Sequence, residues 1–560
     1  MPAATTQLRE LIALKQEFDT ASAEHRAELL GELERARLPK APDVAALHEA
    51  LCYSRAYPDS EAVLEIVERM LAGFQDRPDL RRHRRELADT GIAGTKLHFR
   101  FYWLMAIRLA QLCPEQLSVD WSDFENRDKL PGLLSLLMPF SESVALDAMD
   151  HAARDWIDLL KGADETDAAF LIGRFDALKV PTPLREKIYE DLDIPIVLAP
   201  GPATPARGRE KWPKGPVVFG RGPRPGRPDL RRAIRDASIK VRHVDRREAR
   251  RLIDLANACM VSRHRDLLVF LHADENDVRM VDCGDGLQFA CMGAVPERRL
   301  MLESVYGFLT LQNGVPIGYV LCSAFFRSSE VAYNVFETYR GTGTAHVYGR
   351  VLAMVNRLFH SDTFSADPYQ LGHNNAEGLA SGAWWFYYKL GFRPHDAGVR
   401  ALVREELAAM KADRSHRTSK RRLNRLASEY MFFHTGKTRR DVLGHIDLGA
   451  IGAHVTAYLA NRFGADREAG LAACADETAK LLSLPSQKKL SRPQRVVWER
   501  WAPLVLALPD MQRWSPAQRR ALRDVVLAKG GPRESDYVRL FDRHKKLRAA
   551  LLQLSRTDPG

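Results

Sequence analysis

From the start of the chain to about residue 196, apolar positions recur at three- and four-residue spacing, which predicts helices with little strand. Leu8, Leu11, Ile12 and Phe18 open one such face, and Leu29, Leu30 and Leu33 continue it. Ala62, Val63, Ile66, Met70 and Leu71 mark another. Tyr102, Trp103, Met105, Ala106, Leu109 and Leu112 form a denser run that predicts a buried helix. The pattern breaks between Pro200 and Pro228, where proline and glycine alternate with Arg207, Arg209, Lys211, Lys214, Arg221, Arg224 and Arg227. Proline and glycine at this density interrupt a helix, and like charges repel, so 197–236 reads as a solvated linker. Its other use is as a basic strap on an acidic partner, and Trp212 and Phe219 suggest that part of it packs.

Beyond Ile239 the helical period gives way to a mixture. Ile239–Val244 reads as a strand and Arg247–Val261 as a helix. Val278–Cys283 and Leu287–Met292 read as a hairpin across Gly284-Asp285-Gly286. Val305–Leu311 and Ile317–Ala324 form a second hairpin across Gln312-Asn313-Gly314, where Asn-Gly is a strong turn signal. A strand from Val331 to Phe336, a helix from His346 to Phe359, a strand Thr363–Ala366, a helix ending near Leu390 and a last strand follow. Helical character returns after about residue 405, with Arg414, Arg417, Lys420, Arg421, Arg422 and Arg425 on a basic stretch. The chain thus divides into a helical region 1–196, the linker 197–236, an α/β region 237–400 and a helical region 401–560.

Composition narrows the function class only slightly. There are 83 lysines and arginines against 72 acidic residues, a net charge of +11 that admits nucleic acid or phosphorylated ligands as partners without requiring them. Nucleic acid is therefore a partner the charge permits but does not favour. The seven cysteines show no CxxC pair and no zinc-site spacing, which points to reduced thiols and no metal. The N-terminal residues lack the charged and apolar segments of a signal peptide, and no run reaches the ~20 apolar residues that span a bilayer. The expectation is a cytoplasmic protein with no membrane partner. His98 and His151 read as ordinary histidines. His264-Arg265-Asp266 lacks the companions of a kinase catalytic loop, and Gly436-Lys437-Thr438 lacks the first glycine of a phosphate-binding loop, with Met431 in its place.

The stretch Glu337-Thr338-Tyr339-Arg340-Gly341-Thr342-Gly343-Thr344-Ala345 carries the candidate chemistry. It leads from a strand through a glycine-bearing turn into a helix start. There the first N–H groups lack intrahelical partners and the helix dipole favours an anion. Glycine at 341 and 343 lets the main chain approach a phosphate closely.

Together with Tyr387-Tyr388-Lys389-Leu390-Gly391-Phe392, preceded by Ala383, this turn resembles the two signatures of the GNAT superfamily of acyl-CoA-dependent N-acyltransferases. The first signature, Arg/Gln-x-x-Gly-x-Gly/Ala, is met by Arg340 to Ala345. The resemblance covers roughly residues 237–400. It implies a mixed-sheet acyltransferase domain flanked by helical N- and C-terminal regions. It also implies that Phe336, Arg340, Gly341, Thr342, Gly343, Thr344 and Ala345 bind acetyl-CoA or another acyl-CoA as cosubstrate. The acyl group would pass directly to an unidentified amine acceptor. Tyr387, with Tyr388 as its neighbour in register, falls where the family often places the acid that protonates the thiolate. Glu337 lies beside the expected thioester as a base, or pairs with Arg340. Many members carry Asn where this chain has Ala380, and Asn374, Asn375 or Ser381 can replace it; His373 is a further substrate-side candidate. The alternative is a catalytically silent module of this fold that binds nucleic acid or an acidic protein through its basic segments.

Overall fold

The computed structural model describes residues 2–222, 225–235, 238–341 and 343–558. The chain forms a mixed α/β protein in which a nine-stranded sheet lies between helical N- and C-terminal regions of the sequence. It divides into two compact units, one of residues 1–223, 251–271 and 311–317, the other of 224–250, 272–310 and 318–560.

The first unit is built from amphipathic helices such as Thr20–Arg35, Ala41–Ala56 and Glu61–Ala72, whose Leu30, Leu33, Val44, Leu47, Val63 and Val67 are fully buried. Asp19 and Ser60 cap the first and third of these by accepting the N–H groups of Ser22 and Val63. Three short strands, which the helical period does not announce, form an antiparallel sheet: β1 (Leu97–Phe99), β2 (Leu117–Val119) and β3 (Ile196–Leu198), with β3 central.

The first part of the segment read as a solvated linker, to about Trp212, is packed, whereas most described residues from 213 to 229 are exposed or half-buried. Trp212 is buried, and its main-chain N–H donates to the Gly314 carbonyl at 2.7 Å. Its basic residues find partners: Arg207 pairs with Glu49, Lys211 with Glu68, and Arg209 donates to the Gly201, Pro202 and Thr204 carbonyls. Arg207 and Lys211 are neutralised by carboxylates, so their charges do not hold the chain extended in water. Pro223 and Arg224 lie outside the described residues.

The larger sheet is formed by β4 (Lys240–His243), β5 (Ala273–Asp282), β6 (Leu287–Ala294), β7 (Ser304–Gln312), β8 (Val315–Phe325), β9 (Ser328–Val335), β10 (Thr363–Ala366), β11 (Arg393–Pro394) and β12 (Met431–His434). Their order across the sheet is β11-β12-β10-β9-β8-β7-β6-β5-β4. The turn joining β7 to β8 holds Asn313 and Gly314 at φ 51° and 77°, the doubly positive pair that matches strand twist. The β9–β10 pair is parallel and is joined through the helix Thr344–Phe359, while β8–β9, β10–β12 and β11–β12 are antiparallel.

Strand β12 comes from beyond residue 400, inside a region whose sequence reads as helical. The C-terminal helices belong to the same core as the sheet: Phe541 stacks on Phe325 at 4.4 Å, and Trp498, Trp501 and Tyr537 are fully buried. An ionic cluster ties these helices to β5 and β7. Lys529 Nζ meets Glu534 at 2.5 Å, Tyr306 donates to Asp277 at 2.6 Å, and the Glu534 N–H donates to the same carboxylate at 3.0 Å. No helix among the described residues is long and apolar enough to cross a membrane.

Candidate functional site

The site begins where two parallel strands separate. β9 pairs with β10 only through Ser328–Thr363, Ser329–Phe364 and Glu330–Ser365, whereas β9 itself runs on to Val335. From Val331 onward its β10-facing edge therefore has no strand partner in β10. Two side chains meet carbonyls of this edge. Gln370 donates to the Tyr333 carbonyl at 3.1 Å, and Arg340 Nε to the Val335 carbonyl at 3.2 Å.

After β9 the chain passes Phe336 and a 3-10 turn, Glu337–Tyr339, then straightens at Arg340. Gly341 and Gly343 follow at φ 129° and 95°, values that side chains with a Cβ rarely adopt. The helix starts at Thr344, two residues earlier than its apolar pattern suggests, because glycine rather than a polar side chain turns the chain into it. Gly341 accepts from the Thr344 N–H at 3.3 Å and Gly343 from the Val347 N–H at 3.0 Å at the start of this helix. Thr342 lies outside the described residues.

The aromatic segment supplies the opposite wall. Its single expected helix is three short ones, Pro368–Leu371, Ala376–Ser381 and Ala383–Lys389, broken at Gly372 and Gly382, both with positive φ. Consecutive on the last of these helices, Tyr387 and Tyr388 point about 100° apart. Tyr387 packs edge-on against Tyr348 and Phe392 and lines a cleft of about 480 Å³. Tyr388 stacks on Trp384 and lines a different cleft.

That first cleft brings the two sequence signatures together: Arg340, Gly341, Gly343, Thr344 and Ala345 on one side, Tyr387 on the other, and Tyr333 to Val335 between them. Burial raises the Tyr387 phenol above its ordinary value, while Gln370, Tyr348 and the Tyr333 N–H pull against that rise by hydrogen bonding. The Tyr348 hydroxyl is fully buried and is itself raised, by burial first and by Tyr387 beside it.

Other predicted residues fall outside the cleft lining. Glu337 is exposed on the 3-10 turn, and the carboxylate that Arg340 meets is that of Glu377. Phe336 is buried against Tyr319 at 6.1 Å. Of the polar residues near Ala380, Asn375 and Ser381 line the cleft, whereas Asn374 and Ala380 are exposed. Asn375 caps the helix that follows it, accepting from the Gly378 N–H at 3.0 Å.

Two cleft residues, and one carboxylate outside the cleft lining, escaped the sequence reading. Gly226 and Arg227, placed in the linker, line the cleft; the density of arginine there was the available signal. Glu330 is the last β9 residue paired with β10, and strand alternation puts it on the opposite face from Tyr333. Burial, reinforced by the nearby Asp367 carboxylate, raises the Glu330 carboxyl to about 7, while a hydrogen bond from Tyr430 opposes the rise. No local pattern announces Glu330, because its environment is assembled from β9, the loop after β10 and the approach to β12. Among the described residues no group of three His, Cys, Asp or Glu side chains is arranged to hold a metal.

No protein-family model, curated protein or solved structure matches this chain.

Proposed function

We propose that the second unit is an acyl-CoA-dependent N-acyltransferase, with acetyl-CoA the first donor to test and an amine as acceptor. The observation that carries this reading is the single cleft joining the glycine turn, the unpartnered edge of β9 and Tyr387. The open helix end at Ala345 suits a pyrophosphate, and Arg340 and Arg227 add positive charge beside it. The edge of β9 offers main-chain groups to an extended pantetheine arm, which would add to the sheet as a strand does.

For transfer, the acceptor must lose a proton before its nitrogen attacks the thioester carbonyl, and the departing sulfur must gain one. In this reading Tyr387, which lines the cleft, gives its proton to the thiolate as the C–S bond breaks. Glu330, titrating near neutrality, suits removal of the ammonium proton better than exposed Glu337 does. The C–N bond forms, the C–S bond breaks, and the products are an amide, free CoA and a proton.

Calorimetry with CoA on the full chain tests the donor site: saturable binding supports the reading, and its absence from folded protein refutes it. Incubation with acetyl-CoA and cell extract, followed by mass spectrometry for acetyl transfer, then identifies the acceptor.

A further inference from the structure

A second cleft of the same unit, about 530 Å³, lies at the β11–β12 edge of the sheet. Its wall carries Arg231, Arg393, Arg400 and Arg404, and no carboxylate lines it among the described residues. The helix Ala397–Ala412 explains two of these charges. Arg400, Val403, Arg404 and Leu407 share one face at helical spacing, so two guanidinium groups project into the cleft one turn apart.

The acidic residues nearby are engaged elsewhere. Glu406 is held by Arg422 at 2.6 Å, Thr418 at 2.7 Å and His416 at 2.9 Å, and Asp396 caps its helix by accepting the Val399 N–H. Arg393 lies 4.0 Å over the Tyr388 ring and donates to the Tyr388 and Phe392 carbonyls, neutral partners that leave its charge uncompensated. Four like charges around one concavity repel one another, an anion of several charges between them relieves that repulsion, and guanidinium forks match phosphate oxygens.

The rest of the wall is flat and ring-bearing. His395 stacks on Phe432 at 4.4 Å, and it is linked by ring nitrogens to His445 at 2.7 Å and His434 at 3.3 Å. Burial, the two neighbouring imidazoles and Arg440 and Arg400 push His395 down to about 4, so its ring is neutral near pH 7. A neutral ring beside guanidinium groups suits a base and its phosphates rather than a bare polyphosphate.

We propose that this cleft binds a nucleotide through its phosphates and base, either free or within a single-stranded nucleic acid. The site is separate from the proposed acyl-CoA cleft: the two share no lining residue, and Tyr387 and Tyr388 divide between them.

The test titrates the full chain with ATP, a labelled single-stranded oligonucleotide of about 12 residues, and inorganic tripolyphosphate, each at about 50 and 200 mM salt. Both nucleotide probes should bind. The double variant Arg400→Ala/Arg404→Ala, altered only at exposed positions, should weaken both by at least about tenfold while CoA binding stays as in the parent. Tighter binding of ATP assigns a free nucleotide, and tighter binding of the oligonucleotide assigns nucleic acid. Two results overturn the proposal: unchanged affinity in a folded double variant, or tripolyphosphate binding as tightly as ATP. ATP and oligonucleotide binding is read whether or not CoA binds, so failure of the acyltransferase reading leaves this result standing.

Discussion

At the scale of single residues, Tyr387, Glu330 and Glu377 carry separable expectations. Tyr387→Phe removes the proton donor but keeps the ring that packs on Tyr348 and Phe392. Turnover should fall about 10²-fold with CoA affinity unchanged, read by steady-state kinetics alongside calorimetry. An unaltered kcat with chemistry rate-limiting removes Tyr387 from that role. Glu330 acts only when ionised, so activity should rise with pH through about 7, and Glu330→Gln should abolish that limb of the profile. Its effect on stability has the opposite sign. The folded-state value lies above the ordinary carboxyl value, so the contribution of Glu330 is complete below about pH 4 and is lost as pH rises through 7. Glu330→Gln should therefore melt higher than the parent above pH 7 and not at pH 4, checked by thermal unfolding at both. Glu377 places a carboxylate in the cleft where a pyrophosphate would bind, paired with Arg340. Replacement by Gln should tighten CoA binding several-fold, and weaker binding would show that Glu377 instead positions Arg340 for the ligand.

At the scale of elements, the turn from β9 into its helix depends on glycine twice. Gly343→Ala forces a side chain into a backbone conformation at φ 95° and should cost about 1–2 kcal/mol in denaturant unfolding. The turn was legible because its demands are local: a strand, two glycines and a helix start follow one another directly. The short helix Ala383–Lys389 was legible as an aromatic motif but not as a separate element. Its independence rests on Gly382 at φ 67° and on Trp384 donating to the Leu426 carbonyl at 3.0 Å, a partner distant in sequence. The ionic cluster beneath the C-terminal helices was not legible either, since Lys529 and Glu534 look like ordinary helix-end charges. Both are buried at 1% exposure, and Lys529 also donates to the Glu303 carbonyl at 2.8 Å. Lys529→Met leaves the Glu534 carboxyl without its nearest cation, and unfolding free energy should drop by about 3–5 kcal/mol. A drop below 1 kcal/mol would mean that Arg299, at 3.9 Å, compensates.

At the scale of the molecule, the candidate catalytic unit is discontinuous in sequence. β12 fills the sheet between β10 and β11, and Phe541, Trp498 and Trp501 belong to the same core. A fragment of residues 237–400 would lack that strand and that packing, leaving β10 with an open edge. It should show no cooperative unfolding transition by circular dichroism, whereas the full chain should. A cooperative fragment would show that the C-terminal helices are accessory. The division at residue 400 suggested by the sequence reflects a change of periodicity, and a single strand of four residues is too short to alter that signal.

The sequence by itself determined the elements whose information is local. These were the helical flanks, the two hairpins with their glycine-bearing turns, the β9-to-helix turn and the aromatic signature. Side-chain period, turn chemistry and backbone freedom act within a few residues of each other, so they can be read along the chain. Only the tertiary structure decided that Gly226 and Arg227 join the glycine turn, that burial raises the Glu330 carboxyl to about 7, and that four arginines share one cleft. Burial and electrostatic coupling depend on neighbours brought together from distant parts of the chain, and no local pattern records which neighbours those will be.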